Sequence, residues 1–353
     1  MVQKNGVMPR IAAFQDFLRK NQLDGFLITD YLDQFYLMNF MFNPKETVLL
    51  VSGKKVVCFT RNLYVETLRR EKSFLTIVGE DGDRLEAAIL CAQKMGLKKI
   101  GFDAAKESYL SGKTLIKKGC KASIGWIALM RQRKDKIELK NMRASNRLAY
   151  QTYCYIRPRI KTGMTESQVA AEMEQFMRAH GASGTSFTTI VAFGKNAANP
   201  HHVTGKTKLK AEECVLIDFG CVYNGYCSDM TRSWWHGKKA PAQYTEIWNL
   251  VDKARQKGIK TVKPGHTGKQ VDTATRNIIV QGGYGSFFTH ATGHGVGIEI
   301  HEDPYNSQQC NAVLAEGNVV TVEPGIYLPG KYGVRLEDTV AVTKTGANIL
   351  TRK

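Results

Sequence analysis

The chain of 353 residues lacks a long apolar run and a recognisable N-terminal targeting segment. No apolar stretch approaches the roughly 18–20 residues that a membrane-spanning helix needs, so no membrane anchor is expected. The first ten residues are polar and basic, and neither an apolar segment nor a small-residue cleavage site follows them. That is not the pattern of a secretory signal peptide. We therefore expect a cytoplasmic protein.

The eight cysteines lack any pattern, since they occur singly, without a CxxC pair or a regular spacing. This distribution favours reduced, mostly buried thiols over a disulfide framework. Acidic residues are also scarce, with 32 Asp and Glu against 50 Lys and Arg. The densest basic run extends from Arg131 to Lys161, but no nucleic-acid-binding motif accompanies it. A solvated helix face is the preferred interpretation, and nucleic acid is not an expected partner.

Histidine is absent before His180, and the first part of the chain carries no constellation of chemically active side chains. Its hydrophobic pattern predicts helices at 10–21, 62–70, 84–95 and near 110–117, and strands at 25–28, 47–52, 56–60, 74–78 and 99–102. This alternation predicts an α/β domain with a partly parallel sheet. We place it at residues 1–128, with a shaping or oligomerisation role. A second domain at 129–353 begins with long helices at 135–157 and from 165 to about 180.

A β-hairpin is predicted around Asn224-Gly225, because both residues of such a two-residue turn must adopt positive φ. The turn pairs Tyr223 with Tyr226, so the residue numbers of paired positions sum to 449. Asp218 and Asp229 then share one face of the hairpin as diagonal neighbours, roughly 7–8 Å apart at the backbone. We expect the position between them, Gly220, to leave that face empty. Two carboxylates directed at one small space repel each other unless a cation lies between them.

An internal repeat follows the predicted helix boundary. The sequence K-x-G-x-T-x-x-Q-V occurs at 161–169 and again at 263–271, and a second pair of similar segments, 209–220 and 314–325, superposes Asp218 on Glu323. One repeated pair is too few for a solenoid. Two related halves facing each other around a shared cleft are the natural alternative.

Five of the eight histidines fall into two clusters: His201 and His202, then His290, His294 and His301. Glycines at 293, 295 and 297 let the backbone around His294 approach other groups closely. Glu323 ends an apolar strand, where a buried acid is costly unless it is paired or bound to a metal. Together these features indicate a functional site rather than isolated core residues.

One set of acidic and histidine residues, with these flanking sequences, resembles the metal ligands of the pita-bread metallopeptidases: Asp218, Asp229, His294, Glu323 and Glu337. That family includes methionine aminopeptidases, aminopeptidase P and prolidase, and the resemblance covers residues 135–345. It implies an α+β protein in which a creatinase-like α/β domain precedes a pita-bread domain of two pseudo-symmetric αββ halves. Creatinase shares the two-domain shape but lacks these ligands.

The resemblance also implies two divalent metal ions, Mn²⁺ with Co²⁺ or Zn²⁺ as alternatives. Four carboxylates and one imidazole are hard donors that suit Mn²⁺, and two such ions can activate a bridging hydroxide as the nucleophile. By resemblance, Asp218 binds one metal, Asp229 and Glu337 bridge both, and His294 and Glu323 complete the second. Glu323 would also manage the proton of the bridging water.

Further site positions carry over from the family: His201, His290, His301, Arg335 and Tyr327. The resemblance implies that His290 and His301 contact substrate and stabilise the tetrahedral intermediate. His201 would lie near the scissile bond, but its neighbour His202 is an equally placed candidate, and the sequence leaves the two undecided. Arg335 would orient carboxylates.

The implied activity is a metal-dependent aminopeptidase that removes the first residue from peptides with proline at the second position. We prefer aminopeptidase P to prolidase, the Xaa-Pro dipeptidase, because no added basic residue is evident that would pair with the free carboxylate of a dipeptide. Methionine aminopeptidase is disfavoured by the front domain. A non-catalytic relative that binds peptide or nucleic acid is disfavoured by the complete ligand set. A homodimer is the implied assembly.

Overall fold

The computed structural model describes residues 4–41, 43, 45–72 and 74–352, and of residues 4–6 only the backbone. The chain divides into two compact units, Met1–Arg131 and Gln132–Lys353. Within the described ranges, no helix combines the length and apolar character that crossing a bilayer requires.

The first unit is an α/β domain, as predicted. Its helices are α1 (Lys4–Lys20), α2 (Tyr31–Met38), α3 (Asn62–Glu71), α4 (Arg84–Lys94), α5 (Tyr109–Lys117) and α6 (Trp126–Gln132). Its strands are β1 (Gly25–Ile28), β2 (Thr47–Ser52), β3 (Val56–Thr60), β4 (Thr76–Gly79), β5 (Ile100–Asp103) and β6 (Lys121–Ser123). They form one sheet in the order β4-β3-β2-β1-β5-β6, in which β2 is antiparallel to both neighbours and the other pairs are parallel. Helices α2 and α6 and strand β6 were not predicted.

The second unit carries the repeat. Its helices are α7 (Lys136–Ile156), α8 (Glu166–Ala179), α9 (Ala242–Thr261) and α10 (Gly268–Gln281). The strands of its first half are β7 (Gly184–Thr185), β8 (Ile190–Phe193), β9 (Glu213–Phe219), β10 (Cys221–Tyr223), β11 (Tyr226–Cys227) and β12 (Met230–His236). Those of the second half are β13 (Gly293–Gly295), β14 (Glu302–Asn306), β15 (Val319–Val322), β16 (Gly325–Leu328), β17 (Tyr332–Arg335), β18 (Asp338–Val342) and β19 (Ala347–Ile349).

Each half contains one long hairpin that is interrupted at its middle. In the first half, β10 pairs with β11 and β9 with β12, and every pair of partners sums to 449, as predicted. Asn224 and Gly225 both have positive φ at the turn. In the second half, β15 pairs with β18 and β16 with β17, with partners that sum to 660. The register therefore continues across both interruptions, and the acidic residues lie at or beside them.

The prediction that Gly220 leaves an empty face was wrong. A Cβ built at Gly220 would lie 1.8 Å from the carbonyl oxygen of Ser228 and 2.3 Å from Ser186 Oγ. That carbonyl oxygen also accepts a hydrogen bond of 2.7 Å from Ser186 Oγ. Glycine is needed there because the opposite strand approaches too closely for any side chain.

The K-x-G-x-T-x-x-Q-V repeat forms the start of α8 and of α10. In both, the threonine caps the helix and the glutamine three residues later bonds back to it, which makes a capping box at Thr165/Gln168 and at Thr267/Gln270. Equivalent backbone bonds attach the preceding glycines to the leucines before β9 and β15, from Gly163 to Leu209 O and from Gly265 to Leu314 O. The repeat thus encodes the same helix start and the same strand attachment twice.

The alternation of side chains along β9 places Asp218 between the two halves. Val215 and Ile217 of β9 are buried against α7 and α8. Leu216 is buried on the opposite face, in a core shared with α9, β16 and β17. Because successive side chains of a strand point to opposite faces, Asp218 lies on the face of Leu216, towards the second half.

Candidate active site

The five predicted metal ligands converge on one point of the second unit. Asp218 is the penultimate residue of β9, Asp229 precedes β12, His294 is central in β13, Glu323 follows β15, and Glu337 precedes β18. Carboxylate oxygens of Asp218, Asp229 and Glu337 lie within 4.8 Å of one another. The register of 660 sets Glu323 opposite Glu337, so both hairpins deliver carboxylates at their interruptions.

His294 completes this cluster through one ring nitrogen. Its Nε2 lies 3.5 Å from Asp229 Oδ2 and 3.4 Å from Glu323 Oε1. Its Nδ1 is 3.0 Å from the carbonyl oxygen of Gly295, which can only accept a hydrogen bond. Nδ1 therefore carries the proton in neutral His294, and the lone pair of Nε2 faces the carboxylates.

The buried carboxylates repel one another, so their charged forms are unfavourable without additional positive charge. Burial raises the pKa of Asp229 well above its ordinary value, and the charges of Glu337, Asp218 and Glu323 raise it further. The pKa of Glu337 is raised in the same way, by burial first and then by Glu323 and Asp218. Burial also raises the pKa of Glu323 to about 8, although Arg335 acts in the opposite direction. Four acids facing one guanidinium leave a surplus of negative charge.

This arrangement fits divalent cations. Among the described residues, the buried Oδ1 of Asp218 and the buried Oε1 of Glu337 have no hydrogen-bond partner. Buried polar atoms normally have one, so a cation is the natural partner for oxygens that face each other across a small space. The ligand set of carboxylate oxygens and an imidazole nitrogen suits a hard or borderline divalent ion.

A second group of side chains orients the ligands. Thr231 Oγ1 donates to Glu337 Oε2 over 2.7 Å, and it accepts a hydrogen bond of 3.1 Å from Arg335 Nε. Arg335 Nη2 donates to Asp218 Oδ2. Thr321 Oγ1 donates to Glu323 Oε1 over 3.1 Å. Neither threonine was predicted as a site residue, although the hairpin register sets Thr231 opposite Asp218.

His290 is fully engaged by the protein. Its Nδ1 lies 2.8 Å from the carbonyl oxygen of Ala291, and its Nε2 lies 2.8 Å from the Tyr327 hydroxyl. Tyr327 also accepts a hydrogen bond of 2.8 Å from Arg335 Nη1. Burial, reinforced by Arg335, lowers the pKa of His290 to about 3, so this ring is neutral at physiological pH. Its geometry suits a role in orienting Tyr327.

One cavity of about 390 Å³ is lined by nine predicted site residues: His201, Asp218, Asp229, His290, His294, His301, Glu323, Arg335 and Glu337. Tyr327, which was also predicted, is not among the lining residues and contacts His290 and Arg335 instead. The remaining wall is mainly apolar or aromatic, from Phe187, Ile190, Pro200, Ile300 and Tyr305. The sequence offered no chemical signal for these wall residues. The cavity therefore combines an acidic end with an apolar space of the size that a small peptide needs.

Comparisons with known proteins identify relatives of both units. Residues 140–344 match the sequence profile described as metallopeptidase family M24, and residues 10–128 match that of the creatinase/prolidase N-terminal domain. The Xaa-Pro dipeptidase of Pyrococcus horikoshii is 34% identical over 342 residues, which is 96% of this chain and 95% of that protein. A solved structure of an Xaa-Pro dipeptidase from Bacillus anthracis superposes with a TM-score of 0.93, at 34% identity and 98% coverage of both chains. The X-Pro aminopeptidase of Thermotoga maritima superposes with a TM-score of 0.88, at 30% identity, over 94% of this chain and 96% of that one. The expected fold, a creatinase-like α/β domain followed by a pita-bread domain, is confirmed.

Proposed function

Because the chain belongs to metallopeptidase family M24, we propose that it hydrolyses the peptide bond before proline in short peptides with proline at the second position. The observation that carries this proposal is the one cavity that nine of the predicted site residues line together. Its acidic end fits the chemistry of hydrolysis, and its apolar wall fits the proline ring.

Two divalent cations, for which we propose Mn²⁺, would be held by Asp218, Asp229, His294, Glu323 and Glu337, and when bound they would polarise the scissile carbonyl and activate water. The chain's own groups supply the rest. Glu323 is the group to which we assign proton transfer, because its carboxylate lies within the ligand cluster, 3.4 Å from His294 Nε2, where water would be activated. Thr321 fixes one of its oxygens by the hydrogen bond to Oε1.

His301 is the group to which we assign stabilisation of developing negative charge. Its ring lies 4.3 Å, centroid to centroid, from that of His294, and it lines the same cavity. A donor placed beside the reacting carbonyl is worth more than the same donor in water once bound substrate excludes water from the cavity. His201, on the wall contributed by the first half, would contact the substrate near the scissile bond.

Within this activity we propose dipeptides as the preferred substrates. Proteins named Xaa-Pro dipeptidase resemble the chain over nearly its whole length, and they support the dipeptidase alternative better than the aminopeptidase P that the sequence analysis preferred. Aminopeptidase P remains the second candidate on one observation. Arg335 is the sole Arg or Lys among the residues lining the described cavity, and its N–H groups already serve Asp218, Thr231 and Tyr327. A dipeptide carboxylate would need another cationic partner.

The test compares three matched peptides under Mn²⁺: Xaa-Pro, Xaa-Pro-Yaa and Xaa-Ala-Yaa. A dipeptidase cleaves the first far better than the second. An aminopeptidase P cleaves the second at least as well as the first, because it requires only the free N-terminal amine. Equal cleavage of the proline and alanine tripeptides would contradict both assignments.

A further inference from the structure

The adjacent histidines His201 and His202 face different surroundings. His201 is exposed and lines the cavity, and no hydrogen bond joins its ring to another residue in the described part of the chain. The ring of His202 is directed elsewhere, with Nε2 2.9 Å from Glu166 Oε2. Although the two histidines are adjacent in the sequence, their different surroundings indicate different roles.

Glu166 holds four groups of the segment that carries these histidines. Its side chain is fully buried. Oε1 accepts hydrogen bonds from Phe193 N at 3.0 Å and from Asn196 Nδ2 at 2.8 Å. Oε2 accepts from Gly205 N at 3.0 Å and lies against His202 Nε2. An ionised carboxylate only accepts, so His202 Nε2 carries the hydrogen in this contact.

The position of His201 depends on such attachments because residues 199–205 form neither helix nor strand. One further contact holds the segment before His201, from Arg335 Nη1 to Pro200 O at 3.3 Å. Another holds it after His201, from Thr204 Oγ1 to Thr189 O at 2.8 Å. The backbone N–H of His201 itself donates to Asn199 Oδ1 over 3.1 Å. On the C-terminal side of His201, the nearest side-chain attachment is that of His202, whose Cα is about 3.8 Å away along the chain.

We propose that His202 is a positioning residue, anchored on the buried carboxylate of Glu166, which holds the His201 ring at the cavity. The expected changes in kcat rest on the proposed peptidase function, whereas the expected position of the His201 ring does not. It also divides the roles of the two histidines, with His201 contacting substrate and His202 acting through His201.

The test uses two substitutions that differ in one donor. His202→Leu removes the group that faces Glu166, whereas His202→Gln retains an Nε2 donor of similar reach. We expect His202→Leu to lower kcat for Xaa-Pro cleavage by about 10- to 100-fold, with a smaller change in KM and unchanged metal content. His202→Gln should recover most of this loss. Val203→Ala, at a neighbouring position that is 82% exposed, is the matched control.

A double-mutant cycle separates positioning from general loss of structure. In a His201→Ala background, His202→Leu should cause little additional loss of kcat. The same 10- to 100-fold loss in that background, or equal impairment by His202→Gln and His202→Leu, would overturn the proposal.

A crystal structure of the His202→Leu protein makes the test independent of activity. Displacement of the His201 ring by about 1 Å or more supports the anchor, and an unmoved ring overturns it. If the wild-type protein cleaves no Xaa-Pro peptide, the proposed function fails, and this structure still decides the role of His202.

Discussion

Without divalent cations, the protein should become less stable as the pH rises from 6.5 to 8. The pKa of Glu323 is 4.5 in an unfolded chain and about 8 in the folded, metal-free site, because burial penalises the charged form. Between these values the folded state binds more protons than the unfolded state, so the free energy of unfolding falls with increasing pH. For Glu323 alone, the loss between pH 6.5 and pH 8 is about 2 kcal/mol.

Other ionisable groups at the site also change how the free energy of unfolding varies with pH. The pKa values of Asp229 and Glu337 are also raised, so these groups add to the loss. Burial lowers the pKa of His290 to about 3 and that of His294 to about 4, which makes stability rise with pH through the unfolded value of 6.5. At pH 6.5 the unfolded histidines are still half protonated, so this opposing contribution ends only at about pH 7.5 and offsets part of the loss, which the three carboxylates together still dominate.

Thermal unfolding of chelator-treated protein at pH 6.5, 7.25 and 8 measures this effect. A loss of about 2 kcal/mol corresponds to a decrease in Tm of about 4–8 °C for a unit of this size. With saturating Mn²⁺ the carboxylates are held charged, so the gain in Tm on adding metal should increase with pH. Glu323→Gln should flatten the metal-free profile, whereas Glu316→Gln, at an exposed position, should not. A metal-free Tm that stays constant or rises over this range would refute the reasoning.

Three further predictions concern the site and the hairpin that supports it. Chelation should abolish Xaa-Pro hydrolysis, and Mn²⁺ or Co²⁺ should restore it. The Glu337→Gln protein should retain fewer than two metal ions per chain by elemental analysis, and two retained ions would contradict the bridging role of Glu337. His301→Ala should lower kcat by roughly 100-fold with near-normal metal content, whereas His294→Ala should weaken metal binding itself, and reversed effects would mean that the two roles are exchanged. Gly220→Ala should lower stability by about 1–3 kcal/mol or more, because its Cβ would lie 1.8 Å from a backbone carbonyl oxygen, whereas Gly346→Ala, with no atom within 4 Å of its Cβ, should have little effect on Tm.

The parts of the fold that could be predicted from sequence are those specified by local chemistry. Asn224-Gly225 determines a turn of two residues, and the turn then determines every pairing of the strands on either side. The capping boxes of α8 and α10 have a sequence signature of four residues, which is why the repeat was visible at all. Because the register determines which side chains share a face, convergence of Asp218 and Asp229 followed from the turn.

Features that depend on distant contacts were not predictable. Helix α2 is buried on nearly all sides, including Asp33 and Gln34, so it lacks the apolar stripe that identifies a surface helix. Gly220 is required by a carbonyl on the opposite strand, which no local pattern reveals. His202 could not be distinguished from His201 because its partner, Glu166, lies 36 residues earlier in the chain.

The division of the ligands between the two halves has a kinetic consequence. Asp218 and Asp229 come from the first interrupted hairpin, and His294, Glu323 and Glu337 come from the second half. An ion held by both sets would crosslink the two halves and oppose their separation. Amide hydrogen exchange in the strands that face the other half should therefore be slower with metal bound than after chelation.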